Sequence, residues 1–157
     1  MTVALKAGDK APDFQLPTDQ GQISLSELNG KLVVVYFYPK DDTGGCTNQA
    51  KAFTAALPEF ESRGAIVIGI SKDTIASHAK FRAKHGLGVV LASDRDNDVI
   101  ERFGAWIEKS MYGRTYMGID RSTWLIDKDG TLLQVWRKVK VPGHVEQVLA
   151  AVQKVAE

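Results

Sequence analysis

Only one of the 157 residues is a cysteine, Cys46. That scarcity excludes an intramolecular disulfide, a zinc site built on several cysteines and a C-x-x-C dithiol. A chain of this length buries roughly 68–70% of its unfolded surface, so its core holds without such staples. At ~100–200 residues per domain, it reads as one domain over 1–157. Charge of one sign is also lacking: 20 Lys and Arg stand against 19 Asp and Glu. A net charge this small argues against a polyanion-binding surface, and so against nucleic acid as a partner. No apolar run approaches the ~20 residues of a bilayer span. The first ten residues show no charged start followed by an apolar stretch, so neither a secretory signal nor a membrane partner is expected. A lone thiol without such a signal suits a reducing cytoplasm. Histidine is scarce too, at three residues. His78 and His85, seven apart on an expected helix, lie ~10.5 Å apart along its axis, too far to chelate one ion. Both read as surface residues, as does His144. No metal-ligand spacing is found, and no metal or cofactor is expected.

What is present is an alternation of strands and helices. Gln20-Gly21-Gln22 marks a turn in an N-terminal hairpin, and Ser26–Gly30 a short helical turn ended by glycine. Leu32 to Tyr38 is β-branched and aromatic on both faces, the pattern of a central strand buried on both sides and ended by Pro39. Ala50, Phe53, Leu57 and Phe60 recur every three or four residues, which predicts a helix over Cys46–Ser62, kinked or divided near Ala55–Leu57 by Pro58. Further strands are expected at Ala65–Ile70 and Val89–Ala92, with helices at Thr74–His85 and Asp96–Phe103. Ser122–Asp127 and Thr131–Val139 flank a turn at Lys128-Asp-Gly130. A last helix carries Val145, Val148, Leu149, Val152 and Val155 on one stripe. The whole is an α/β protein with a mixed sheet covered on both faces. Met111, Tyr112, Tyr116 and Met117 read first as core packing, and second as an apolar wall or partner surface. Trp106, Trp124 and Trp136 read as core or edge aromatics, since no basic groove accompanies them.

Cys46 follows the loop Pro39-Lys-Asp-Asp-Thr-Gly-Gly45 and opens the expected helix. The end of a strand is where ligand crevices form. The first turn of a helix has unpaired N–H groups and a positive macrodipole end, which favour a thiolate. At the ordinary pKa of about 8.5, only ~3% of a cysteine is ionised at neutral pH; reaching ~90% takes ~3.4 kcal/mol of preferential stabilisation. A helix end supplies ~0.3–1 kcal/mol, so further donors or a cation are needed. Thr43, three residues earlier, can bring a hydroxyl to the sulfur. Asp41 and Asp42 oppose the thiolate unless they turn outward or cap the helix.

Pro39-Lys-Asp-Asp-Thr43-Gly-Gly-Cys46 resembles the P-x-x-x-T-x-x-C motif of peroxiredoxins. The neighbouring Tyr36-Phe-Tyr-Pro is similar to the bacterioferritin comigratory protein, or PrxQ, subfamily. So are Lys109-Ser-Met-Tyr-Gly113, Gly118-Ile-Asp-Arg-Ser-Thr123 and Trp136-Arg-Lys-Val-Lys140. The resemblance covers nearly the whole chain. It implies a thioredoxin-like fold and reduction of hydrogen peroxide and organic hydroperoxides. It also implies roles residue by residue: Cys46 as the attacking thiolate, Thr43 as the hydroxyl bonding sulfur and peroxide, Pro39 as a shield, and Arg121 as the cation that holds the thiolate and polarises the peroxide. A guanidinium, with its several donors and permanent charge, supplies what the helix end could not.

Two positions depart from the family pattern. Many PrxQ members carry a second, resolving cysteine where this chain has Lys51, and others place it on the following helix, where none stands here. A Cys46 sulfenic acid therefore needs an external thiol, whether thioredoxin, glutaredoxin or glutathione, or Cys46 of another copy. Gly44 stands where the family usually has proline, which leaves the loop looser. The expected function is a thiol-dependent peroxidase acting as a monomer or weak homodimer. The alternative is a peroxide sensor that forms mixed disulfides with client proteins. A thiol–disulfide oxidoreductase is disfavoured by the missing C-x-x-C.

Overall fold

The computed structural model describes residues 5–155. Its spine is Leu32–Phe37 (β3), six consecutive buried residues. Alternate side chains of a strand point to opposite faces, and here each face has its own core. Leu32, Val34 and Tyr36 meet Phe53, Phe60, Phe81, Val148 and Val152 on one side. Val33, Val35 and Phe37 meet Leu16, Ile68, Ile70, Phe103 and Trp124 on the other. This double burial is why the run is continuously apolar rather than alternating. Ala65–Ser71 (β4) pairs in parallel with β3, and Val90–Ser93 (β5) in parallel with β4. On the other flank Ser122–Ile126 (β8) runs antiparallel to β3, and Leu132–Trp136 (β9) antiparallel to β8. Gln15–Thr18 (β1) and Gly21–Ser24 (β2) form the N-terminal hairpin and reach the sheet through β5, giving the order β2-β1-β5-β4-β3-β8-β9. The mixed sheet flanked by helices agrees with the sequence reading.

Four α-helices lie among the described residues. Gly44–Ser62 (α1) and His144–Val155 (α4) cover one face of the sheet beside Ile75–His85 (α2), and Val99–Arg102 (α3) lies on the other. The α2 boundaries follow their signals: Thr74 accepts from Ser77 N as N-cap, and Gly86 closes the helix at φ 62°. Among the described residues no helix is long and apolar enough to cross a membrane.

Three expectations are corrected. The α1 helix starts at Gly44, two residues earlier, and runs through Pro58 undivided. It tolerates the lost N–H because that turn is at the surface. The helix expected over Asp96–Phe103 shrinks to Val99–Arg102, whose first amides donate to the buried Asp94 carboxylate at 3.1 and 2.8 Å. The third correction is a separate hairpin, Trp106–Met111 (β6) and Arg114–Ile119 (β7), turned at Tyr112 and Gly113, both with positive φ. Met111, Tyr112, Tyr116 and Met117 lie on it and are exposed, Tyr112 at 98%, so they are not core.

Candidate active site

The loop between β3 and α1 brings Cys46 to the carboxyl end of the central strand, as third residue of the helix. Its side chain is buried, 2% exposed, within the cluster of Tyr36, Ala50 and Phe53. Arg121 precedes β8, the strand beside β3, and this adjacency brings the guanidinium to the sulfur across 75 residues of sequence. Arg121 Nη2 donates to Cys46 Sγ at 3.2 Å. Its Nη1 donates to Oε1 of the fully buried Gln49 at 2.8 Å. The Arg121 carbonyl accepts from Val139 N at 2.8 Å, which pins its backbone. The guanidinium also packs over Gly45, where a Cβ would stand in ordinary van der Waals contact with Nη2 at 3.4 Å.

Thr43 is the N-cap residue of α1, yet its hydroxyl donates to the Lys40 carbonyl at 2.9 Å rather than to Cys46. With its hydrogen so engaged, Oγ1 presents lone pairs that can accept from an incoming O–H. Pro39 stands just past β3 and is exposed. Beside Arg121 lies an open cleft of about 440 Å³, bordered by Ile107, Lys109, Tyr116, Lys138 and Val139; Cys46 does not line it.

The two aspartates of the loop neither cap the helix nor face the sulfur. Asp41 is buried, and its carboxylate accepts from the Tyr38 hydroxyl at 2.5 Å and from Ser77 Oγ at 2.7 Å; His78 Nδ1 lies 2.7 Å away. Asp42 is exposed and meets Lys84 Nζ at 2.7 Å and His85 Nε2 at 2.8 Å. Hydrogen bonds from Lys84 and then His85 hold its carboxyl below the usual range.

The histidines correct the sequence reading. His78 is fully buried and His144 is 4% exposed. The polar partners Asp41 and Thr123, remote in sequence, make those positions habitable. Burial, and then the positive charge of Arg121, push His144 down to about 4. Its Nε2 lies 2.8 Å from Thr123 Oγ1. Burial, followed by the nearby Cys46 and Asp41, holds the Tyr36 hydroxyl above the usual phenol range. Gln49 was not singled out in the sequence. The available signal was a polar residue one turn after Cys46, on a helix face that otherwise reads Ala50, Phe53 and Phe60. Among the described residues no cluster of His, Cys, Asp and Glu suits a metal ion.

Comparison with known proteins points one way. Residues 7–135 match the model of the AhpC/TSA family. Peroxiredoxin Bcp of Bacillus subtilis is 43% identical over 156 residues, covering 99% of each chain. The structure of a cysteine-to-serine mutant of Xylella fastidiosa PrxQ superposes with a TM-score of 0.93 at 37% identity, covering 99% of this chain and all of that one. The bacterioferritin comigratory protein of Xanthomonas campestris, whose trapped intermediate and ligand complexes bear on its alkyl peroxide reduction activity, superposes at 0.89 with 40% identity over the full length of both. The likeness carries the thioredoxin-like fold with it.

Proposed function

The chain belongs to the AhpC/TSA family and is a peroxiredoxin of the Bcp and PrxQ group, and from that premise we propose that it reduces hydrogen peroxide and organic hydroperoxides through Cys46, with an external thiol restoring the cysteine. The observation that carries this reading is the guanidinium of Arg121 at 3.2 Å from the sulfur of a buried cysteine at a helix N-terminus. The Cys46 thiolate attacks one peroxide oxygen. An S–O bond forms, the O–O bond breaks, and the departing oxygen leaves as an alkoxide or hydroxide that takes up a proton. Arg121 stabilises negative charge on sulfur before the attack and on the departing oxygen during it. Thr43 Oγ1 accepts from the peroxide O–H and orients it, and Pro39 walls the loop.

Cys46 is then a sulfenic acid, the first rung of cysteine oxidation. With a single cysteine in the chain, the next bond is intermolecular. A thiol displaces water to give a mixed disulfide, and a second thiol releases Cys46 by exchange. Glutathione, alone or with a glutaredoxin, supplies the two thiols in succession, and a dithiol such as thioredoxin supplies both from one molecule. A reducing cytoplasm suits the cycle, and it runs in a monomer or weak homodimer. The sensor alternative shares the first step only, and kinship with named peroxiredoxins favours turnover.

Steady-state peroxide consumption with glutathione, glutaredoxin plus glutathione, and thioredoxin, side by side, tests the proposal. Sustained turnover with at least one reductant, lost in Cys46→Ser, is expected. One oxidation followed by no recycling with any of the three favours the sensor.

A further inference from the structure

Of the six large apolar side chains exposed among the described residues, four stand on the β6–β7 hairpin: Met111, Tyr112, Tyr116 and Met117. Single exposed hydrophobics are ordinary, but a cluster on one element marks a contact site. The base of the hairpin is fixed, since Ile119 is buried and Asp120 N donates to the Ala105 carbonyl at 2.7 Å. Register decides which side chains share a face. Lys109 pairs with Tyr116 and Met111 with Arg114, so these four project from one side, while Glu108 and Met117 pair on the other. The first side borders two spaces in succession. Met111, Tyr112, Arg114 and Tyr116 line an open groove of about 550 Å³ at the tip. Tyr116 and Lys109 also border the cleft at Arg121, whose guanidinium donates to the Cys46 sulfur. An apolar strip thus runs from the hairpin tip to the cation that holds the reacting atom.

Tyr112 points to an occupant from outside the chain. Its φ of 53° and the 76° of Gly113 make a two-residue turn that favours asparagine, aspartate or glycine at the first position. A bulky residue there is strained, and a ring 98% exposed has no packing within its own fold to offset the strain. An aromatic held out at such a cost fits contact with another molecule. Charge selects the kind of molecule. Lys109 and Arg114 stand on the groove side, with Lys138 and Arg121 around the cleft. Of the acids at the cleft, Asp120 accepts from the Lys138 amide at 3.2 Å, and Glu108 belongs to the opposite face by register. A two-fold contact between copies would set these cations against their own equivalents. A different protein, apolar at its contact and rimmed by carboxylates, meets no such repulsion. The reset needs two outside thiols, because the chain has one cysteine. A small thiol has no use for so long a strip, whereas a docked protein dithiol brings both thiols in one encounter.

We infer that the cleft side of the β6–β7 hairpin, centred on Met111, Tyr112, Arg114 and Tyr116, is the docking surface for a protein dithiol whose thiols lie in an apolar surface rimmed by carboxylates. The inference rests on the peroxidase reading and adds the partner of its second half. One thiolate of the docked partner attacks the sulfenic sulfur. An S–S bond forms, the S–O bond breaks, and hydroxide takes up a proton and leaves as water. The partner's second thiol then attacks the partner's own sulfur in the mixed disulfide and releases Cys46. The partner gives up two electrons and two protons and ends as an intramolecular disulfide.

Thioredoxin, kept reduced by its reductase and NADPH, is the probe, and dithiothreitol is the small dithiol for comparison. Peroxide consumption is measured against the concentration of each for wild type, Tyr112→Asn, Met111→Thr and Arg114→Glu. Tyr112→Asn and Met111→Thr are each expected to lower kcat/KM for thioredoxin about five- to thirtyfold, the loss typical of a contact hot spot. Arg114→Glu is expected to lower it about three- to tenfold and to flatten its decline with added salt. Rates with dithiothreitol, and Cys46 oxidation by hydrogen peroxide, stay within twofold of wild type. Asparagine suits the turn better than tyrosine, so Tyr112→Asn is expected to melt no lower than wild type, which separates lost contact from lost structure. An unchanged kcat/KM for thioredoxin in Tyr112→Asn and Met111→Thr overturns the docking surface. So does an equal fall with thioredoxin and dithiothreitol. Sedimentation showing a wild-type dimer that these variants split assigns the hairpin to a second copy and overturns it too. Wild type that turns over with dithiothreitol but not with thioredoxin overturns this inference and leaves the peroxidase reading standing. Wild type that turns over with no thiol sinks both.

Discussion

Arg121 places one N–H on Cys46 and another on Gln49, so its guanidinium is oriented as well as charged. Lysine would keep the charge but lose the fork that makes both bonds at once. Arg121→Lys is therefore expected to lower the second-order rate of Cys46 oxidation by roughly a hundredfold, in line with removal of a fixed donor at a developing charge. Stopped-flow mixing with hydrogen peroxide measures this, and a rate within threefold of wild type would show that charge alone suffices. His144 makes a second residue-scale prediction. Its folded value of about 4 lies below the ordinary 6.5, so the unfolded chain binds the proton more tightly. Stability from this residue is complete above about pH 6.5 and falls as the pH drops toward 4. At pH 5 the loss is about 2 kcal/mol. His144→Gln can keep the bond to Thr123 without titrating, so its urea midpoint is expected to fall less between pH 7 and pH 5. An equal fall in both proteins would remove His144 as the cause. A motif singled out Cys46 and Thr43, and a second family-like segment singled out Arg121; the structure brings Arg121 to the Cys46 sulfur and turns the Thr43 hydroxyl to the Lys40 carbonyl. Burial of His78 and His144 was not, because it depends on Asp41 and Thr123, partners 37 and 21 residues away.

At the scale of elements, the join between loop and helix holds Gly44, where the family resemblance of the sequence implies proline. Gly44 is the first residue of α1, where proline is well accommodated because the N–H has no helical partner. A Cβ there would meet nothing within 4 Å, and Thr43 before it is extended at φ −106° and ψ 157°, the conformation that a following proline demands. Gly44→Pro is thus expected to stabilise the protein by about 0.4–1 kcal/mol through the unfolded state. A melting temperature about 1–4 °C higher, with unchanged peroxidase rate, would bear this out; a lower one would mean that the loop needs glycine's freedom. The β3 run and the signals around α2 were legible because periodicity, cap and glycine agree locally. The β6–β7 hairpin was not, because its Tyr112-Gly113 turn is an unfamiliar signal and its strands mix Glu108 and Lys109 with Met111 and Tyr116. Apolar residues at its tip read as core, although they are exposed.

At the scale of the molecule, two cores on either side of one strand hold the end of β3 still, and β8 delivers Arg121 to it. The sheet thus brings a cysteine and a cation to one point, and the loop that leads into the cysteine's helix is tied to α2 through Asp41 and His78. Its topology was readable only as a class, because strand order depends on pairings far apart in sequence. The scarcity of cysteine limits what the molecule can do alone: one thiol can take an oxygen from a peroxide, but it cannot discharge it. The most direct test is a single-turnover experiment with no reductant present. One equivalent of hydrogen peroxide added to the reduced protein should add one oxygen atom to its mass, located at Cys46 by peptide mapping, and should leave Cys46→Ser unchanged. Oxygen gained equally by the Cys46→Ser protein, or located at a methionine in place of Cys46, would contradict the account.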